Sequence, residues 1–322
     1  MKKLQMQASQ LEHFGKALVT LGVEREDLVV LDPDVSVSTK TTYFAERFPD
    51  RFVKVGISEQ DMVGIAAGLA ASEMTPIVCG FAMFVAGRAW EQLANSVARP
   101  ELNVKIIGTH GGLSPSADGA SHQAFGDVAI MRVLPNMKVV VPADAPEAVE
   151  ALKTLVGRLG PSYLRLGRGV SPVVYDEGCD FSLGEAAVLR EGSDATIIAN
   201  GIMVSMALRA AESLAIDGID ARVLDMHTVK PIDGAAIERA AAETGAIVTA
   251  EEHSVIGGLG GAVAETLAES RPAPMTRVGI RDRFGESSRR YDDLLGELGL
   301  TPEAVADAVR STIERRDGTE GR

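Results

Sequence analysis

The 322-residue chain is short of cysteine, of aromatic residues and of positive charge, and each shortage excludes something. Its two cysteines are Cys79, in an apolar run, and Cys179, in a Gly- and Asp-rich stretch. They cannot build a disulfide framework and read as one buried and one loop thiol in a reducing compartment. No Cys-x-x-Cys pair or His/Cys cluster suggests a zinc site. Basic residues number 32 against 45 acidic ones, a net charge of −13. Such a surface repels polyphosphate and argues against nucleic-acid binding. A sugar phosphate asks less, only Arg and His gathered in a cleft. The longest apolar run, around residues 64–71, is far too short to cross a bilayer, so no membrane association is expected. Residues 1–10 are polar and lack the apolar core of a signal peptide, so the expected location is the cytoplasm. No solenoid-period repeat or low-complexity tract is found.

What is present is alternation. Hydrophobic residues make up 46% and charged residues 24% of the chain, as in an ordinary folded protein, and the length suits two domains. Strands are predicted at residues 28–32, 52–56, 75–80, 104–109, 138–142 and 162–166. Helices are predicted between them at 9–21, 39–47, 59–72, 84–98, 122–133 and 146–159. The strands are apolar throughout, which is the mark of a parallel sheet covered on both faces. Residues 169–184, with Pro172, Gly178 and Gly184, read as a linker. A second series follows, with strands at 195–200, 221–225, 246–250 and 276–280. Its helices are predicted near 204–217, 233–244, 260–270 and 302–315, and residues 317–322 read as a frayed tail. The fold class is therefore α/β, two doubly wound domains at 1–178 and 185–322. Ligands of such sheets sit beyond the carboxyl ends of the strands, so the segments after each strand matter most.

Four of these segments hold candidate chemistry. Glu59 opens an apolar helix in VGISEQDMVGIAAGLA. Ser58 to Asp61 fits a capping box with a first-turn carboxylate. However, the helix runs straight into an almost wholly apolar face, which would put Glu59 at a buried junction. Phe81 and Phe84, followed by Arg88, read either as core or as a flat wall for an aromatic ring. The loop THGGLSPSADGASHQAFGD carries His110, Asp118 and His122, two of the five histidines of the chain. It is a site or a surface loop. Arg165 and Arg168 in YLRLGRG could hold an anion or simply be solvated. The glycine cluster at 257–261 reads as close helix–strand packing rather than a phosphate site.

The order of these segments resembles the transketolase family, over nearly the whole chain. GISEQ, DGASHQ and LPNMKVVVPAD carry most of the weight. The resemblance implies a thiamine-pyrimidine-binding domain followed by a smaller transketolase C-terminal-type domain. It implies that Glu59 bonds N1′ of the thiamine aminopyrimidine, that Phe81 and Phe84 stack on that ring, and that Asp34 approaches the cofactor. His110, Asp118 and His122 would contact sugar hydroxyls, with Glu59, His110 and His122 catalytic. An imidazole titrating near neutrality can move protons there. Arg168 would bind the phosphate, with Arg165 the competing choice.

Departures accompany the resemblance. The family holds its diphosphate through Mg²⁺ with a Gly-Asp-Gly motif, which occurs nowhere in the sequence. The implied enzyme is therefore a split transketolase, the metal and diphosphate held mainly by an N-terminal partner subunit, in an α2β2 heterotetramer. Gly87 stands where a tyrosine is expected. Arg88 beside it resembles the deoxyxylulose-phosphate synthases and joins the implied cofactor contacts. Ser114–Ala117 and Gly126 also depart from the family pattern around the sugar pocket. Alternatives are the β chain of a 2-oxoacid dehydrogenase, a deoxyxylulose-phosphate-synthase-like enzyme, or a non-catalytic partner subunit.

Overall fold

The computed structural model describes residues 3–320. The alternation of the sequence becomes two sheets. From edge to edge the larger one runs Thr228–Lys230, Lys138–Val140, Ser162–Arg165, Lys105–Thr109, Thr75–Phe81, Leu28–Asp32, Phe52–Lys54. All neighbours in it are parallel except the first pair. The smaller sheet runs Met275–Ile280, Ile247–Ser254, Ala195–Ala199, Ala221–Asp225, Ala187–Arg190, with only the last strand antiparallel.

The strands are apolar at consecutive positions because each side of each sheet has its own core. Leu28 and Val30 face a core built with Phe14, Leu18 and Leu152. Val29 and Leu31 face the other, with Met62, Val63, Leu93 and Met131. The second sheet repeats the pattern. Ile197 and Val248 pack toward Met203, Val204 and Val309, while Ile198 and Ile247 pack toward Ile237 and Val263. Each such side chain contributes about 1.5–3 kcal/mol by burial. Truncating fully buried Leu31 to alanine would cost about 2–5 kcal/mol.

Several expectations are corrected. The segment read as a linker is tied down. Its residues Val170–Pro172 pair antiparallel with Gln7–Ser9, and the amides of Val174 and Tyr175 donate to the Asp144 carboxylate. The two halves also interlock, because Thr228–Lys230 joins the first sheet. The helix expected from His122 begins only at Asp127. Ahead of it, Gly112 and Ala124 exchange two backbone hydrogen bonds that hold residues 113–123 as a loop. The helix expected at 84–98 is broken after Gly87 and resumes at Trp90. The expected frayed tail is helical as far as Glu320, and residues 321–322 lie outside the described ones.

Candidate active site

The carboxyl edge of the larger sheet gathers side chains from five neighbouring strand ends. Glu59 begins the helix Glu59–Ala71 and is 3% exposed. The expected capping box does not form. The Ser58 hydroxyl donates instead to the Val55 carbonyl, at 2.9 Å. Glu59 receives a hydrogen bond from Arg88 Nη1 at 2.5 Å, and the Arg88 guanidinium lies 4.8 Å from the centre of the Phe84 ring. Phe81 ends its strand and Phe84 sits one turn into the next helix, with ring centres 6.3 Å apart.

Two histidines close on these rings. The His110 ring lies 4.1 Å from Phe81, tilted by 42°, and His122 meets Phe84 edge-on at 5.2 Å. His110 is buried and holds a left-handed backbone, φ 57°, which costs a non-glycine residue about 1–3 kcal/mol. Burial, helped by the nearby Arg168 charge, lowers its pKa to about 4. The expectation that His110 titrates near neutrality is thereby corrected, since losing water disfavours the imidazolium. It is a neutral ring near pH 7.

The two arginines separate. Arg165 is the last residue of its strand and points into the fold. Its Nε bonds Asp127 Oδ2 at 2.9 Å, and its Nη2 donates to the carbonyls of Ala124 and Glu252. Burial would lower the guanidinium's pKa, but the carboxylates of Asp127 and Glu252 outweigh that and raise it. Arg165 is thus an internal strut, and its expected contact with a substrate anion gives way. Arg168 lies beyond the strand end, half-exposed, with Nη1 2.5 Å from Asp118 Oδ2. Asp34 also has φ above zero, at 69°, and stands exposed on the rim. It pairs with Lys54 at 2.6 Å rather than with the aromatic cluster.

Some organising residues escaped the sequence reading. Asp32 is fully buried and accepts hydrogen bonds from Thr39, Thr41 and the Val35 amide, fixing the loop that carries Asp34. An acid ending the apolar run LVVLD was the available signal. Asp127 holds both Arg165 and the Tyr163 hydroxyl, and its signal was an acid directly before an apolar helix. At the glycine cluster, the amides of Leu259 and Gly260 are taken by the Glu251 carboxylate, at 2.7 and 2.8 Å. A Cβ at Gly258 would collide with the same carboxylate, so the packing reading of these glycines fits the geometry.

Comparison with known proteins identifies the two domains. The profile described as "Transketolase, pyrimidine binding domain" covers residues 7–172. The profile "Transketolase, C-terminal domain" covers residues 184–305. The chain belongs to the transketolase family. Among its relatives, one of the subunits of the apulose-4-phosphate transketolase of Phocaeicola vulgatus is 44% identical over 303 residues, 94% of this chain and 96% of the relative. The 6-deoxy-6-sulfo-D-fructose transketolase subunit SqwH of a Clostridium species is 43% identical over 290 residues, 90% of each chain. A solved structure titled "Split gene transketolase, inactive beta4 tetramer" superposes with a TM-score of 0.88 at 49% identity, covering 96% of this chain and 99% of that one. The transketolase family implies thiamine diphosphate as the cofactor, and the Glu59–Phe81–Phe84 cluster lies within the pyrimidine-binding match.

Proposed function

We propose that this chain is the C-terminal subunit of a thiamine-diphosphate-dependent split transketolase. It would take a two-carbon ketol unit from a ketose phosphate to an aldose phosphate. The observation that carries this reading is the meeting of Glu59, Phe81, Phe84, His110 and His122 at one sheet edge. A buried carboxylate beside an aromatic wall is the donor set that an aminopyrimidine requires. Among the described residues the side chain hydrogen-bonded to Glu59 is Arg88, which is half-exposed and able to swing aside.

Bound thiamine diphosphate supplies a nucleophilic carbon that can take up and release a two-carbon unit. The chain's own residues do the rest. Glu59 shares a proton with N1′ of the pyrimidine, and Phe81 and Phe84 keep water from its ring. His110, neutral through burial, hydrogen-bonds a sugar hydroxyl without adding charge. His122 passes protons to and from the substrate oxygens, Asp118 accepts from a hydroxyl, and Arg168 meets the terminal anion. Arg88 borders the pyrimidine, and Asp34 stands at the rim where the cofactor enters.

The diphosphate and Mg²⁺ would be held mainly by a partner subunit carrying Gly-Asp-Gly, in an α2β2 heterotetramer. Three observations support this. The sequence has no Gly-Asp-Gly. The amides at its glycine-rich helix start are already bonded to Glu251. The related split-gene chain, as four copies, is described as inactive.

The test is two-carbon transfer between sugar phosphates, with thiamine diphosphate and Mg²⁺, by this chain alone and mixed with its N-terminal partner. Activity in the mixture alone supports the split enzyme, and activity of the single chain refutes the partner. Arg88 on Glu59 favours one second reading, a deoxyxylulose-phosphate-synthase-like reaction, so an arm with pyruvate and glyceraldehyde phosphate belongs in the same assay.

A further inference from the structure

The loop that brings His110, Asp118 and His122 to the cleft has no helix or strand of its own between Gly112 and Ala124. An irregular segment of this length keeps its shape only through bonds to something rigid. Its neck is closed by the Gly112–Ala124 pair. Arg168 ties it to the first domain, through its amide to Ser114 Oγ at 3.0 Å and its Nη1 to Asp118, and the other anchors come from the second domain. The Leu113 amide donates to Glu252 Oε1 at 2.6 Å, and the Tyr291 hydroxyl donates to the same oxygen at 2.6 Å. The Ser288 amide donates to the Ser116 carbonyl at 2.8 Å, and Gln123 Nε2 to the Glu286 carbonyl at 2.8 Å. Phe284 meets Phe125 at 5.9 Å, and a Cβ on Gly119 would collide with Ser287.

Glu252 is the centre of this seam. It is buried at a strand of the second sheet, and its backbone carbonyl accepts from Arg165 Nη2, which also reaches the Ala124 carbonyl at the far side of the loop neck. One carboxylate and one guanidinium therefore grip both limbs of the loop. A buried carboxylate is costly unless its oxygens are used, and here Oε1 is used twice.

We propose that Glu252 and Tyr291 are positioning residues for the sugar. On this view the second domain sets the loop 110–126 against the cleft without touching substrate. This rests on the proposed ketol transfer, because it assigns the loop to the sugar rather than to the cofactor. It predicts that loosening the seam weakens sugar binding and leaves the pyrimidine end intact, since Glu59, Phe81 and Phe84 lie outside the seam.

The test uses Tyr291→Phe, which removes one hydroxyl and keeps the ring, alongside Glu252→Gln in the full chain. Hydrogen exchange of the chain alone reads the seam directly. Amides in 110–126 are expected to exchange roughly five- to tenfold faster in Tyr291→Phe, as the loss of one buried hydrogen bond implies, with the helices Ala145–Val156 and Met203–Ile216 unchanged. In the assembled enzyme the KM for the ketose is expected to rise by a similar factor, while the Kd for thiamine diphosphate stays within twofold. Unchanged exchange across the loop would overturn the proposal. So would faster exchange spread evenly over both domains with KM unaltered, the signature of a merely structural bond. If the wild-type pair transfers no ketol unit, the functional reading fails on its own, and the exchange measurement still decides whether the second domain holds the loop.

Discussion

The acid pair at the junction between the domains should contribute less stability as the pH rises from 4 to 8. Glu147, on the helix Ala145–Val156, and Asp225, ending the strand Ala221–Asp225, meet side chain to side chain and are both buried. Glu147 Oε2 accepts from the Ala143 amide at 2.6 Å, and Asp225 Oδ2 from the Tyr175 hydroxyl at 2.9 Å. Asp144, Tyr175 and Cys179 are titratable groups beside them, and none of the three is a cation. Burial carries the Asp225 acid from the ordinary 3.8 to about 7, and burial with the neighbouring acid pushes Glu147 well up. The sign follows. Asp225 keeps its proton in the folded chain up to about pH 7 but loses it above 3.8 when unfolded. At this site the unfolded chain thus binds fewer protons in that window, and the site's contribution to stability falls as pH rises. The difference corresponds to about 4 kcal/mol. Spread over an unfolding entropy of about 2.1 cal/mol/K per residue, this site alone lowers Tm by about 6 °C, against the opposite contribution of His110 and His227, which burial keeps neutral. Thermal unfolding of wild type and Asp225→Asn between pH 4 and 8 checks it. The variant keeps the shape and has no proton to lose, so the Tm of wild type minus that of the variant should fall by about 6 °C as the pH rises. Parallel curves for the two proteins would refute the shared-proton reasoning.

Other outcomes are expected. Glu59→Gln should fold normally and lose at least about 100-fold in ketol transfer, the usual scale for a lost acid–base group, measured in the assembled enzyme. Arg165→Met should destabilise by about 3–5 kcal/mol in denaturant unfolding, because it strands the Asp127 charge in the interior. Arg168→Ala should leave stability within about 1 kcal/mol, its ion pair being half-exposed, and raise KM for phosphorylated sugars. Gly108→Ala should cost about 1–3 kcal/mol by overpacking, because the new methyl meets the buried Tyr163 ring.

The strands of both sheets were legible because burial on two faces forces unbroken apolar runs such as LVVLD and VKIIG. Four short strands were not: Gln7–Ser9, Val170–Pro172, Ala187–Arg190 and Thr228–Lys230. Each has three or four residues, and its partner lies far along the chain, so no local pattern marks it. The cleft residues could be named from the sequence, but their relations could not. Spacing could not say that Ser58 leaves Glu59 uncapped and that Arg88 takes the carboxylate instead. Nor could it separate Arg165 from Arg168, three residues apart. The strand ends between them, so one arginine faces Asp127 inside and the other faces Asp118 at the cleft.

That difference bears on the proposal that the second domain sets the loop, although the chemistry-bearing groups come from the first. The ends of parallel strands can deliver Phe81 and His110 to fixed points, since their backbones are held in the sheet. They cannot fix a loop that leaves the sheet at Thr109 and returns to a helix only at Asp127. Charge makes the connection. Arg165 reaches the loop neck and the Glu252 strand at once, and Asp127 and Glu252 keep its buried guanidinium ionised. The burial that makes Arg165 unfit to take a substrate anion is what lets it join the two domains behind the loop 110–126. Arg168, three residues on and in contact with water, is the one proposed to meet the anion.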